Sequence, residues 1–410
     1  MAFLRRNAWL KLFLLTAGPG LVVMLADTDA GSLITAAQSG AVWGYRMVLL
    51  QLILIPILFI IQELTVRLGV VTQQGHGELI KTHFGRGWAW VSVATLMLSC
   101  IGAIMTEFSG IAGVGTLFGV PTLWSMLAVV IFLVAMAWTG SYRSVERSAI
   151  FIGLFELIFV VVAIHVHPDY HTVLKTLFHI PVSNSQYWYL AAANVGAVVM
   201  PWMIFYQQSA VVDKKLTVKH LKLARIDTGI GAIITQCIMA SMVIITAATI
   251  GLKDPGAPLN TVHQISEAMT PFLGESAGKI LFALGMLGAS LVAAIVVSLT
   301  AAWGLGEVLG YKRSLEHQPK EAPWFYSIYT LVLILGALLI LSGINLVDLS
   351  VAVEVMNAIL LPIVLGFLYL LALKTLPEAH RLKGIYAVIV GVLLGATALF
   401  GITAGLWGSF

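Results

Sequence analysis

Long apolar stretches separated by short polar connections organise the whole chain. A helix of about twenty apolar residues is long enough to cross the hydrocarbon core of a bilayer. The pattern predicts an all-α integral membrane protein in which residues 1–410 form a single domain without a linker or low-complexity segment. Eleven transmembrane helices are predicted, at about 10–40, 46–69, 88–118, 122–140, 147–167, 187–211, 228–251, 276–306, 324–345, 349–373 and 384–407.

The first and sixth predicted spans are interrupted by polar residues and helix breakers. The first span is broken between Asp27 and Ser32, where two carboxylates and Gly31 stand in an otherwise apolar stretch. The sixth is broken between Asn194 and Trp202, a segment that contains Pro201. Proline removes a backbone donor and clashes with the preceding turn, and glycine weakens a helix. Both spans are therefore predicted to be broken helices.

The two interruptions occupy corresponding positions, each at the start of a set of five spans. Such pairs are typical of inverted-repeat transporters, in which the binding site lies at the repeat interface. The pattern predicts one repeat at about 8–167, a second at about 187–373 and an extra helix at about 384–407. Backbone carbonyls freed at the breaks would be available to a cation.

Composition and charge agree with a membrane protein and indicate its orientation. The chain is 59% hydrophobic and 10% charged, with a mean hydropathy of +0.96. Of its 23 Lys and Arg residues, 19 lie on the side of the membrane that holds the N-terminus. The four on the other side are Arg46, Lys175, Lys253 and Lys279. The positive-inside rule then places the N-terminus in the cytoplasm and the C-terminus outside. The N-terminus resembles a signal peptide but lacks a cleavage site, so we expect it to be retained.

The same observations exclude several other classes of protein. The net charge of +4 follows from the orientation bias and requires no nucleic-acid partner. Cys100 and Cys237 both lie in spans, which does not indicate a disulfide framework or a zinc knuckle. No nucleophile and base pair up within the spans, so an enzyme is not expected, and the pattern indicates no cofactor. A membrane sensor would ordinarily carry a soluble output domain, which these residues do not encode.

Asp29 is the leading candidate for a metal ligand. Charged residues at mid-bilayer depth are costly and are functional hypotheses by default. A carboxylate, a hydroxyl such as that of Ser32 and freed carbonyls are hard ligands suited to Mg²⁺, Mn²⁺ or Ca²⁺, whereas the thioether of Met200 favours a transition metal. Both interpretations stay open. Asp27 lies two positions away on another helix face and is either a ligand or a pore or gate residue.

Three further polar residues within the spans are candidates for the ion path. Glu107 lies in the third span, while Glu354 and Asn357 lie one turn apart in the tenth and can face the same cavity. Asn357 is a candidate ligand, and Glu354 either lines the path or bridges helices. All ten histidines lie in connections or at span ends, so a proton relay through a mid-membrane imidazole is not expected.

At these residues the chain resembles the Nramp family of divalent-metal transporters, over essentially all eleven spans. The resemblance rests on the opening Gly18-Pro19-Gly20, the motif of the first span, the end of the second span at residues 67–72, and Met200-Pro201 in the sixth. It implies the leucine-transporter fold with 5+5 inverted repeats, broken helices 1 and 6, and alternating access.

The departures from the family pattern concern ligands and protons. Where the family has Asp-Pro-Gly-Asn, this chain has Asp29, an alanine, Gly31 and Ser32, so the acidic ligand is kept and the amide becomes a shorter hydroxyl. The resemblance also assigns the carbonyl of Ala197 and the thioether of Met200 as ligands. The histidine of the family's Met-Pro-His, which is linked to proton movement, is replaced by Trp202.

In the third span the two acidic residues of the family are reduced to Glu107, with Gly110 at the second position. These substitutions resemble a prokaryotic branch, the Nramp-related magnesium transporters. The resemblance implies import of Mg²⁺ and Mn²⁺ through a bacterial inner membrane without proton coupling. The alternatives are a proton-coupled Mn²⁺/Fe²⁺ importer of the ordinary Nramp type and a channel-like cation pore. The expected partners are divalent metal ions and the lipid bilayer, with no obligatory protein partner evident.

Overall fold

Every element of regular structure in the described part of the chain is helical, which confirms the predicted all-α fold. The computed structural model describes residues 18–138, 142–168, 170–254 and 256–408. Short 3-10 turns occur at Gly44–Met47, Leu154–Glu156 and Val218–His220. The α-helices are α1 (Pro19–Asp27), α2 (Ala30–Trp43), α3 (Val48–Thr72), α4 (His76–Phe84), α5 (Arg86–Leu117), α6 (Thr122–Ala137), α7 (Tyr142–Gly153), α8 (Leu157–His165), α9 (Tyr170–Leu177), α10 (Ser185–Val198), α11 (Pro201–Asp213), α12 (Leu221–Lys253), α13 (Val262–Glu267), α14 (Thr270–Leu273), α15 (Glu275–Leu309), α16 (Pro323–Ile340), α17 (Leu346–Lys374) and α18 (Gly384–Gly408).

The long helices follow the predicted spans closely. Within the described residues, nine helical stretches are long and apolar enough to cross a membrane, and Thr122–Ala137 is a shorter apolar helix. One of the nine, Ala30–Thr72, combines α2 and α3, which a 3-10 turn separates. In the predicted set of eleven spans, α2 and α3 belong to different spans. The count of eleven stays a prediction, and so do the boundaries of the two repeats. The predicted starts near residues 8 and 10, and the end of the fourth span at 140, lie outside the described residues.

The first predicted break lies at two residues between α1 and α2. Thr28 and Asp29 are non-helical, and Asp29 is the N-cap of α2, with its side chain accepting a hydrogen bond from the backbone N–H of Ser32. Short polar side chains are preferred at this position because they satisfy the free N–H groups of the first turn. Gly31 lies inside α2 and is not part of the break.

The second break lies at Val199 and Met200, between α10 and α11. Pro201 is the first residue of α11, where its missing N–H costs nothing and its fixed φ suits the helix. Gly196 is helical, so it does not form the break. A Cβ at this position would collide with the backbone carbonyl of Glu354 and lie 2.8 Å from the Ala358 nitrogen. Gly196 thus allows α10 and α17 to touch backbone to backbone.

The N-terminus of α1 is anchored to α12 by one buried carboxylate. Asp227 accepts hydrogen bonds from the backbone N–H groups of Gly18, Gly20 and Leu21, at 3.1, 2.9 and 3.3 Å. Negative charge at a helix N-terminus is favourable because the free N–H groups and the helix dipole point there. Asp227 therefore fixes one end of the half-helix whose other end forms the break.

Four short helices in the connections, α4, α9, α13 and α14, were not predicted from the hydropathy pattern. The first of them begins at His76, which is fully buried between the long helices. Its Nδ1 lies 3.0 Å from the side-chain oxygen of Gln208, and its ring packs edge-on against Phe205. Burial lowers the pKa of His76 to about 4, so the ring is neutral at physiological pH.

Candidate metal site

The two helix breaks lie close together, and a hydrogen bond joins α2 and α10, the helices beside them. The hydroxyl of Ser32 donates to the backbone carbonyl of Ala197 across 2.9 Å. Asp29 lies beside this bond, because its Oδ1 accepts from the Ser32 backbone N–H at 2.6 Å. The second oxygen, Asp29 Oδ2, is buried and has no hydrogen-bond partner among the described residues. A carboxylate, a hydroxyl and a carbonyl, all oxygen donors, therefore converge at the interface of the two breaks.

Met200 ends the second break, and its sulfur is already engaged. The indole N–H of Trp202 donates to Met200 Sδ at 3.1 Å, and both side chains are fully buried. This bond leaves the thioether less free to coordinate a metal. The position where the related family has a histidine thus holds a tryptophan that contacts the predicted soft ligand.

Glu354 and Asn357 of α17 form a hydrogen-bonded pair next to the first break. Asn357 donates to Glu354 Oε2 at 3.0 Å and accepts at its own oxygen from the hydroxyl of Ser99 at 2.7 Å. Glu354 Oε1 is buried without a partner among the described residues, and it occupies the space that a side chain at Gly31 would take. In this conformation the Asn357 amide is satisfied at both ends, and its role as a metal ligand stays a prediction.

Glu107 of α5 and Gly110, one turn further on, hold the start of α2. Glu107 Oε2 accepts from the backbone N–H of Ala30 at 3.1 Å. A Cβ at Gly110 would lie 2.5 Å from both the Ala30 Cβ and the Ser290 Oγ. The position therefore has no room for an acidic side chain in this conformation.

Asp27 and Thr28 lie on the other side of the break, beside Glu156. The Thr28 hydroxyl is hydrogen-bonded to Glu156 Oε2 and lies 2.9 Å from the Leu25 carbonyl oxygen. Both carboxyl oxygens of Asp27 and the Oε1 of Glu156 are buried and lack a hydrogen-bond partner in the described part of the chain. The Asp27 carboxyl is close enough to those of Asp29, Glu354 and Glu156 to repel them when charged.

Five fully buried carboxyl groups therefore surround the break between α1 and α2: Asp27, Asp29, Glu107, Glu156 and Glu354. The ion pairs of the described residues involve other acidic side chains, such as Glu63 with Arg67 and Arg225. Buried charges are costly unless they are paired, protonated or bound to a metal. Within the described residues, no group of three or more His, Cys, Asp or Glu side chains is arranged to hold a metal. A bound ion would thus depend on backbone, hydroxyl and water ligands as well.

The site is closed on both sides. A cavity of about 440 Å³ opens at the predicted outer end, where its lining includes Thr116, Asn260 and Asn345. A second cavity of about 290 Å³, lined in part by Ser209 and Glu307, opens at the predicted cytoplasmic end. Neither cavity is lined by a residue of the site, and the site residues themselves have no solvent exposure.

Sequence reasoning missed three contacts of this region. They are the bonds of Glu156 with Thr28, of Ser99 with Asn357, and of Trp202 with Met200. The only signal available for Thr28 was its position between two intramembrane aspartates. Contacts between distant spans depend on tertiary packing, which no local pattern encodes.

The architecture defines the class of protein: a multi-pass membrane protein with the leucine-transporter type of fold. The crystal structure of the Eremococcus coleocola manganese transporter matches with a TM-score of 0.76 and 18% identity, covering 97% of this chain and 88% of that one. MhsT in complex with L-phenylalanine matches with a TM-score of 0.66 and 15% identity, covering 96% and 98%. At these identities the likeness concerns the fold alone, and it confirms the predicted fold class.

The sequence comparisons identify the family. Residues 20–406 match the family model Nramp, described as natural resistance-associated macrophage protein-like, and the chain therefore belongs to the Nramp family. The divalent metal cation transporter MntH of Caldanaerobacter subterraneus is 26% identical over 284 residues, which are 66% of this chain and 67% of the relative. The protein of the same name from Mesorhizobium japonicum is 26% identical over 312 residues, 72% and 67% of the two chains. The predicted family is thus confirmed.

Proposed function

We propose that this protein imports Mg²⁺ and Mn²⁺ into a bacterial cell by alternating access, without coupling to protons. The observation that carries the proposal is the meeting of the two breaks, where Asp29, Ser32 and the Ala197 carbonyl converge. The relatives named as divalent metal cation transporters support the cargo class. We place the protein in the inner membrane, with its N-terminus in the cytoplasm. An inside-negative potential would assist entry by about 2.3 kcal/mol per charge per 100 mV.

The donor set favours hard ions that keep part of their water. Mg²⁺ is commonly held by one or two carboxylates together with several waters. Asp29 offers one unpaired carboxylate oxygen, and Ser32 offers a hydroxyl where the family has an amide. The only soft donor predicted at the site, Met200, is hydrogen-bonded to Trp202. This hydrogen bond reduces the preference for transition metals that a free thioether would give the site.

Two positions that the resemblance links to proton movement, those of Trp202 and Gly110, are changed in this chain. Trp202 has no titratable group, and Gly110 is packed so tightly that an acidic side chain would collide with Ala30 and Ser290. The buried imidazole of His76 belongs to the short helix α4, and it contacts Gln208 and Phe205 and not the residues around Asp29. These features support uncoupled transport. The remaining buried acids, Glu107 and Glu354, are what a proton-coupled Mn²⁺/Fe²⁺ importer would use.

The site assignment is tested by Mn²⁺ uptake into proteoliposomes under an inside-negative potential. Asp29→Ala removes the carboxylate and is expected to abolish uptake. Asp348→Ala, which removes an exposed carboxylate at the start of α17, is the matched control and should retain uptake. Unchanged flux in Asp29→Ala would contradict the assignment of the site.

Coupling and cargo are tested in the same vesicles. A pH-sensitive dye in the lumen should show no acidification during metal entry, whereas metal-driven acidification would favour the proton-coupled importer. Competition among Mg²⁺, Mn²⁺ and Ca²⁺ measures the preference. Saturable, mutually competitive flux is expected of a carrier, and flux that does not saturate would favour a channel-like pore.

A further inference from the structure

Asp27 and Glu156 carry carboxyl groups that the site around Asp29 does not use. Both side chains are fully buried. Three of their four oxygens lack a hydrogen-bond partner among the described residues, and the fourth bonds to Thr28. Unsatisfied buried oxygens cost free energy and call for an explanation such as an ion or a ligand. These oxygens mark a second place at the break where a cation would be stabilised.

At the first break, the N-terminus of α2 stabilises negative charge and the C-terminus of α1 destabilises it. The N-terminus of α2 presents N–H groups, and these donate to one oxygen of Asp29 through Ser32 and to one oxygen of Glu107 through Ala30. The C-terminus of α1 presents carbonyl groups and the negative end of the helix dipole. Two of these carbonyls, those of Met24 and Leu25, accept hydrogen bonds from the hydroxyls of Thr235 and Thr28. Asp27, the last residue of α1, adds its own charge to that end. The α1 side of the break therefore lacks the backbone compensation that the α2 side provides.

Local structure places Glu156 beside the same end of α1. The helix that would run from Tyr142 to His165 is interrupted by the 3-10 turn Leu154–Glu156. Just before this turn, Gly153 packs on α1 so closely that a Cβ there would lie 2.9 Å from Leu25 Cδ1. The close approach brings the Glu156 carboxyl to the hydroxyl of Thr28. The 3-10 turn thus brings the Glu156 carboxyl to Thr28, at the end of α1 and within electrostatic range of the Asp27 carboxyl.

We propose that Asp27, Thr28 and Glu156 form a second subsite for a divalent cation, on the α1 side of the break. Its side-chain donors are all oxygens, and the carbonyls at the end of α1 are of the same kind. Such a set suits Mg²⁺ and offers nothing to soft ions. Two carboxylates balance the charge of one divalent cation. The subsite rests on the proposed function, since its ion is the same cargo that binds at Asp29.

The test measures Mg²⁺ binding to the purified full-length protein by isothermal titration calorimetry in a background that lacks the first site. Asp29→Asn is expected to keep one Mg²⁺ binding event, carried by the second subsite. Adding Glu156→Gln or Thr28→Val to Asp29→Asn should weaken that event by about tenfold or more, the scale of losses around metal sites. Thr28→Ser keeps the hydroxyl and should preserve it. Asp348→Asn is the matched control on the protein surface.

The outcomes separate this inference from the proposed function. If the wild type binds Mg²⁺ and Asp29→Asn binds none, the second subsite is refuted while the first site stands. Full Mg²⁺ binding in Asp29→Asn/Glu156→Gln and in Asp29→Asn/Thr28→Val would also refute it. If the wild type shows neither Mg²⁺ binding nor metal flux, the proposed function itself fails. Size-exclusion profiles and melting temperatures identify a misfolded variant, and Thr28→Val then replaces Glu156→Gln as the deciding variant.

Discussion

Removing the indole N–H of Trp202 should make the transporter more selective for soft metal ions. A lone pair of the Met200 sulfur accepts a 3.1 Å hydrogen bond from the indole N–H of Trp202. If that lone pair coordinates an ion, the bond is lost and the buried N–H of Trp202 has no partner. A buried donor without a partner costs about 1–3 kcal/mol. Trp202→Phe removes this cost. Taking about 1–2 kcal/mol, the affinity for a thiophilic ion should rise about 5- to 30-fold.

The assay is competitive uptake of Cd²⁺ and Mg²⁺ into proteoliposomes. Trp202→Phe should raise the apparent affinity for Cd²⁺ and leave that for Mg²⁺ nearly unchanged, because Mg²⁺ does not use sulfur ligands. The same substitution in a Met200→Ala background controls for the space left by the smaller ring, and there its effect should disappear. An equal gain with and without the thioether would refute the reasoning.

Two further predictions concern packing and pH. Gly196→Ala places a methyl group against the backbone of α17 and should lower the melting temperature and abolish flux, whereas Gly395→Ala, where a Cβ meets only open space, should do neither; a stable, active Gly196→Ala would contradict the tight contact. His76 binds its proton near pH 4 when folded and near 6.5 when unfolded, so stability should fall as the pH drops from 6.5 to 4, by up to about 3 kcal/mol. His76→Gln should flatten this dependence of the melting temperature, and identical pH profiles would disprove the assignment.

The hydropathy pattern predicts much of the fold because the thickness of the bilayer sets the length of each apolar helix. The ends of the long helices mostly lie within a few residues of the predictions, and both breaks fall inside the predicted segments. The location of each break was less accessible. Gly31 is predicted to loosen its helix, yet it lies within α2. Gly196, inside the second predicted segment, is also helical, and its lack of a side chain allows the backbone of α17 to approach. A glycine in sequence does not reveal whether it is needed for conformation or for space.

The candidate site could be predicted in its centre and not in its surroundings. Asp29 stands out because a carboxylate at mid-bilayer depth is expensive. The partner of Ser32 across the breaks, 165 residues away, depends on how the two halves dock. Likewise, Glu156 reaches Thr28 only because of the 3-10 turn and the close contact of Gly153 with α1, which the sequence pattern does not show. Local chemistry identifies single residues, whereas their grouping is a property of packing.

The bond between Ser32 and Ala197 bears on the half of the transport cycle in which no metal is carried. A carrier without a coupling ion must reorient empty after each delivery, and a vacant polar site in a dry interior would oppose that step. Here the hydroxyl and the carbonyl satisfy each other at 2.9 Å. In the uncoupled cycle proposed above, an incoming ion would exchange places with this hydrogen bond, and its departure would let the bond re-form. The unloaded carrier would then close on itself, and net uptake would proceed without waiting for a return cargo.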